Sequence, residues 1–183
     1  MRESSPSDFL DRAVGAAASA LAAAGVLCVV ALMAVVTYEV VSRYLLNAPT
    51  AWADEIASYL LIEIVFLGLA QNLRRGDHIR IEIVTARASD SARRWLDLIA
   101  YAVGLAFSVM LLTGTWIRFE NFWSRNTVSD SPLMTPLWIP MTPVIIGAAV
   151  FVLAMATGLI ATSRALRNEA GARGRDEHSV NGR

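Results

Sequence analysis

Glu63 is the one ionisable side chain inside the apolar run of residues 56–73. A carboxyl group in hydrocarbon is costly and is a functional candidate by default, and the chemistry open to it is carrying a proton. Neutralisation or hydrogen bonding at a helix–helix contact is the structural alternative. A second group lies beyond that run: Glu39 and Arg43, one helical turn apart with the acid first, then Trp52, Asp54 and Glu55. These can anchor a helix end at a membrane boundary or contact a partner. His78 and His178 fall outside every apolar run, so the paired intramembrane imidazoles of a haem-bearing bundle are missing. Cys28 is the only cysteine, which excludes an intrachain disulfide and a thiolate metal cluster. The sequence carries no glycine-rich phosphate loop and no nucleophile beside a base, so neither a cofactor nor an enzymatic role is expected.

The elements that must hold these residues are four apolar stretches. Residues 13–38, 98–117 and 131–163 carry no charge, and residues 56–73 carry only Glu63. About 20 apolar residues cross a hydrocarbon layer of roughly 30 Å as a helix. With 55% hydrophobic residues in a chain of 183, the expected fold is an all-α integral membrane protein. Its four transmembrane helices are placed at about residues 13–41, 53–73, 95–117 and 137–163. What remains is too short for a folded soluble domain.

All sixteen basic residues are arginine, and the sixteen acids balance them, so net charge implies no nucleic-acid partner. Their placement is lopsided. Thirteen fall before the first span, between the second and third, or after the fourth, against three (Arg43, Arg118, Arg125) on the other side. Short basic loops stay cytoplasmic, which predicts both termini inside. The first apolar run extends unbroken to Tyr38, longer than a signal-peptide core of about 7–15 residues, and is expected to stay as an anchor.

Finer expectations follow from local pattern. Gly15, Ser19 and Ala23 share a face of the first helix, where a neighbour could approach closely. Thr50 is a candidate N-cap for the second helix, with Asp54 and Glu55 at the positive end of its dipole. Residues 78–84 alternate polar and apolar side chains. With no partner for a strand, they are expected to form an amphipathic segment lying in the membrane interface between helices 2 and 3. Trp116, Phe119, Phe122 and Trp123 mark a membrane boundary. Prolines at 132, 136, 140 and 143 place the start of the fourth helix between Thr135 and Pro143. Residues 1–12 are expected to form a cytoplasmic tail, and residues 164–183 a disordered one.

One ordered set of residues resembles a known family. Arg43-Tyr44, Pro49, Trp52, Asp54-Glu55, Tyr59, Phe66-Leu67-Gly68, Arg75-Gly76 and His78-Ile79, then Pro136 and Trp138, are similar to the small membrane subunit of tripartite ATP-independent periplasmic (TRAP) transporters, the DctQ-like family. The likeness covers about residues 10–165 and is most specific over 52–79.

The resemblance implies a bacterial inner-membrane protein in complex with a large, DctM-like permease subunit. It also implies transient contact with a periplasmic, DctP-like binding protein that delivers an organic acid, usually a carboxylate, for sodium-driven uptake. In that arrangement the large subunit holds the substrate and sodium sites, and the small one scaffolds it. Arg43, Trp52, Asp54, Glu55, Glu63 and His78 become candidates for subunit or lipid interaction. Glu63 departs from the apolar or aromatic residue expected there in relatives. The competing readings are a small proton-coupled carrier using Glu63 and, less favoured, an intramembrane enzyme.

Overall fold

The computed structural model describes residues 6–75 and 90–180. Four helices follow one another: α1 (Pro6–Leu45), α2 (Ala53–Arg75), α3 (Asp90–Ser124) and α4 (Trp138–Val180). Each contains a stretch long and apolar enough to cross a bilayer: Asp11–Leu45, Ala53–Leu73, Trp95–Ser124 and Trp138–Arg164. The chain is an all-α, four-span membrane protein. A helix suits this solvent because it pairs its own backbone N–H and C=O groups where no water is present to do so. Buried hydroxyls follow the same rule. Ser108 Oγ donates to the carbonyl of Leu105 at 2.8 Å and Thr115 Oγ1 to that of Leu111 at 3.0 Å, each within its own helix.

α4 is the central element. It packs against α1, α2 and α3, while α1 also pairs with α2. A third of the most apolar window of α4 is buried within the chain, against 6% for α1 and α3. The buried cluster joins Val14 and Ala18 of α1, Ala70 and Leu73 of α2, and Phe151, Ala154 and Met155 of α4, with Tyr101 and Leu105 of α3 against it. Two glycines of α4 permit the close crossings. A Cβ on Gly147 would stand 2.5 Å from the carbonyl oxygen of Phe66, and one on Gly158 would run into the ring of Tyr101. Without a hydrophobic drive between helices in lipid, this fit of small residues is what holds spans together.

Several local expectations need correction. The face of Gly15, Ser19 and Ala23 does not form the buried centre of the contact: Ser19 and Ala23 lie at its edge, with Ser19 Oγ bonded to Gln71 of α2. In the first half of α1 the buried positions are Val14, Ala18 and Gly25, and Ser19 and Ala23 are exposed. The face of α1 is set by where α2 and α4 can both reach it, which a spacing of four alone does not specify. Thr50 does not cap α2 either. The carbonyl of Trp52 accepts the first helical bond, from Ile56 N at 3.1 Å, which makes Trp52 the capping position. Thr50 Oγ1 is buried with no hydrogen-bond partner among the described residues.

The tail expected to be disordered continues α4 as helix to Val180. Ala165, Leu166, Arg167, Glu169, Ala170 and Ala172 are good helix formers added to a helix already nucleated, so Gly171 and Gly174 do not end it. The start of α4 at Trp138 falls inside the window the prolines set, with Pro143 in its second turn. The amphipathic segment expected at residues 78–84 lies outside the described residues.

Candidate functional site

The polar side chains singled out near the boundary gather at the end of the bundle opposite the termini, in two clusters. The first joins α1 to α2. Glu39 is buried, and its Oε1 accepts from Arg43 Nε at 2.8 Å and Nη2 at 2.5 Å. Its Oε2 accepts the backbone N–H of Thr50 at 3.1 Å. One carboxylate thus serves both the last turn of α1 and the chain entering α2. Ser42 adds a bond from its hydroxyl to the carbonyl of Ala48 at 2.5 Å. Asn47 adopts a φ of 50°, the left-handed turn conformation that asparagine tolerates. Trp52 stacks on Tyr38 with ring centroids 5.8 Å apart. Asp54, with its side chain 87% exposed, lies 4.0 Å from Arg43 Nη2. Such a solvent-screened pair contributes little, so Asp54 is free energetically to engage something else.

The second cluster joins α2 to the connection between α3 and α4. Glu55 accepts from Tyr59 OH at 2.6 Å, one turn along its own helix, and its other oxygen accepts from Ser131 Oγ. Ser131 sits in a short hairpin. Ser129 N donates to Thr135 O at 2.9 Å, Leu137 N donates to Thr127 O at 3.1 Å, and Val128 bridges Pro136. The turn is closed by Met134 N on Ser131 O at 3.0 Å, with Met134 at a φ of 50°. A methionine held there costs of order 1–2 kcal/mol, which the surrounding bonds must offset. Leu133 and Met134 are exposed on this turn. Trp123 meets Trp138 edge to face at 5.0 Å, and Phe119 stacks on Trp123 at 6.1 Å. An aromatic girdle therefore rims the same end.

Glu63 lies apart, eight residues down α2 from Glu55, or about 12 Å. Cys28 Sγ donates to its Oε2 at 3.6 Å, so it sits at the α1–α2 contact. His78 lies outside the described residues. Of the six candidates, Arg43, Trp52, Asp54 and Glu55 share one end, and Glu63 is within the span. Sequence reasoning missed Ser131 and Ser129, whose only signal was a polar stretch, and Cys28, which reads as packing until α1 and α2 are paired. Among the described residues no group of three or more His, Cys, Asp or Glu side chains could hold a metal ion.

What this arrangement can do is join helix ends rigidly and present Asp54, Arg43 and the hairpin turn outward. Residues 32–165 match the family model described as "Tripartite ATP-independent periplasmic transporters, DctQ component". The C4-dicarboxylate TRAP transporter small permease protein DctQ of Vibrio cholerae is 33% identical over 85 residues, which is 46% of this chain and 35% of that protein. The sialic acid TRAP transporter small permease protein SiaQ of the same organism is 31% identical over 85 residues, 46% of this chain and 49% of that protein. The chain spans half or less of the length of these two relatives. With nearly three quarters of its residues inside the family model, the chain belongs to the DctQ family of TRAP-transporter small permease subunits.

Proposed function

We propose that this subunit braces the large, DctM-like permease subunit in a bacterial inner membrane, within a complex that takes up an organic acid, a carboxylate, on a sodium gradient. A periplasmic, DctP-like binding protein delivers the acid. The observation that carries the bracing role is the apolar surface left uncovered by the chain's own packing. Val30 and Met33 of α1, and Val103 and Met110 of α3, are each 60–66% exposed, along helices whose apolar windows are 6% buried. α1 and α3 each pack against α4 while keeping such residues exposed, so the unit offers more than one helix to a neighbour. The relatives named for a dicarboxylate and for sialic acid support an organic acid as cargo.

Thirteen of sixteen arginines fall on the side of the termini, which supports termini in the cytoplasm. In that orientation the Glu39 and Glu55 clusters face the periplasm. Arg43, Trp52, Asp54 and Glu55 then form the surface nearest an incoming binding protein, and His78 belongs to the cytoplasmic side. Glu63 serves as a polar tie between α1 and α2 through Cys28, in place of proton carriage.

The test is co-expression of a tagged form of this chain with a DctM-like large permease subunit from the same genome, followed by detergent extraction and mass spectrometry of the purified material. A stable one-to-one complex is expected. Recovery of this chain alone, under conditions where the permease is intact in the same extract, would refute the reading.

A further inference from the structure

An open groove of about 460 Å³ runs along the α1–α2 pair, with Gly25 and Gly68 in its lining. We propose that it is a binding site for one acyl chain of a diacyl glycerophospholipid from the leaflet on the side of the termini, with the lipid's polar linkage at Ser19, Gln71 and Asn72.

Depth is the first argument. On α1 the groove extends from Ser19 to Val29, ten residues or about 15 Å. That is half of a hydrocarbon core of roughly 30 Å, the thickness of one leaflet. Its deep end, at Val29 and Ile64, is apolar, and lies beside Glu63, the midpoint of the span Ala53–Leu73. Its shallow end carries the hydroxyl of Ser19, which donates to Gln71 Oε1 at 3.4 Å, and the amide of Asn72. Gln71 and Asn72 lie about 12–14 Å from that midpoint, the level of a phospholipid's ester groups, to which amide N–H groups can donate. Arg12 is exposed and lies on the Ser19 face of α1, two turns or about 10 Å nearer the terminus. A phosphate belongs at that depth.

Gly68 supplies an independent argument. A helix-interior glycine costs about 1 kcal/mol relative to alanine, and a close crossing is the usual reason to keep one, as at Gly147. At Gly68 there is none, because a Cβ would meet only Asn72 Nδ2 at 3.8 Å. Gly114 is likewise uncrowded, but Gly68 differs in lining the groove, where no described residue fills the space. The groove itself stops at mid-depth, beyond which the same face of α1 continues as the exposed Val30 and Met33. A lipid chain matches where it ends.

The test uses the full chain in dodecyl maltoside with palmitoyl-oleoyl phosphatidylglycerol titrated in, and retained lipid counted by native mass spectrometry. One lipid per chain is expected to survive at low lipid. Gly68→Phe places a ring at the groove from a position where the added Cβ meets only the Asn72 side chain. It should lower retention about tenfold or more, the loss expected when about two methylenes are excluded. Gly114→Phe, on an open face of α3 where a Cβ meets nothing within 4 Å, should leave retention unchanged. Should Gly68→Phe lose helicity by circular dichroism, the double change Gln71→Leu and Asn72→Leu keeps the groove and removes its polar end, and should also lower retention. Equal retention by wild type and a folded groove variant would overturn the proposal. So would a disulfide from Val26→Cys to a helix of the large subunit. Co-purification with the permease is read separately, so loss of the lipid with the complex intact leaves the bracing role standing.

Discussion

Gly147→Ala should loosen the joint between α2 and α4 while leaving every helix intact. The added Cβ would stand 2.5 Å from the carbonyl oxygen of Phe66 and 2.7 Å from its carbonyl carbon, where ordinary contact begins at 3.4 Å. Because both obstructing atoms are backbone, no rotamer change relieves them, and the helices must part locally by about 0.9 Å. Overpacking of this kind costs about 1–3 kcal/mol, or about 5- to 150-fold in the ratio of folded to unfolded protein. Secondary structure should not change, since each span satisfies its own backbone. The assay is titration from dodecyl maltoside into sodium dodecyl sulfate, followed through the five tryptophans, with far-ultraviolet circular dichroism alongside. Gly68→Ala is the matched control, because its Cβ meets only a side-chain amide at 3.8 Å. It should be neutral or stabilising by up to about 1 kcal/mol. A Gly147→Ala protein as stable as wild type, or a Gly68→Ala protein equally destabilised, would refute this account of the crossing.

Glu39→Ala removes the acceptor for two guanidinium bonds and the Thr50 N–H, and should destabilise by about 1–3 kcal/mol in the same titration; a change below about 0.5 kcal/mol contradicts the tie. Glu55→Ala frees Ser131 and Tyr59, and faster amide exchange is expected at Ser129 and Leu137 while α2 keeps its protection; unchanged exchange there would show that the hairpin holds itself. Glu63→Gln keeps an oxygen for Cys28 Sγ, so uptake by the assembled transporter should stay within about twofold, a difference of roughly 0.4 kcal/mol, whereas a proton carrier would be abolished.

The four spans were legible because charge is excluded from long windows, and in lipid that exclusion is nearly sufficient for a helix. The family was legible from the order of residues between Arg43 and Trp138, most densely over 52–79. The packing was less so. Ala18 and Ala23 are the same residue type, yet one is buried and the other exposed, because hydrophobic pattern cannot distinguish a face turned to another helix from one turned to lipid. Thr50 was a reasonable cap by type, but the helix begins at Ala53 with Trp52 at the capping position, and Thr50 instead gives its N–H to the buried carboxylate of Glu39. The partner of Glu55 was hidden for another reason: Ser131 is 76 residues away, and no local signal records a contact made by chain reversal. Glu63 stands out by residue type alone, but its neighbour Cys28 emerges only once α1 and α2 are aligned.

The most direct test of the central claim, that this chain lends structure while cargo chemistry resides in its partner, is solute flux in proteoliposomes. Vesicles holding the large subunit, this chain and the binding protein should accumulate the organic acid on an imposed sodium gradient. Vesicles holding this chain alone should match empty ones. Uptake by the chain alone, lost on Glu63→Gln, would contradict the claim.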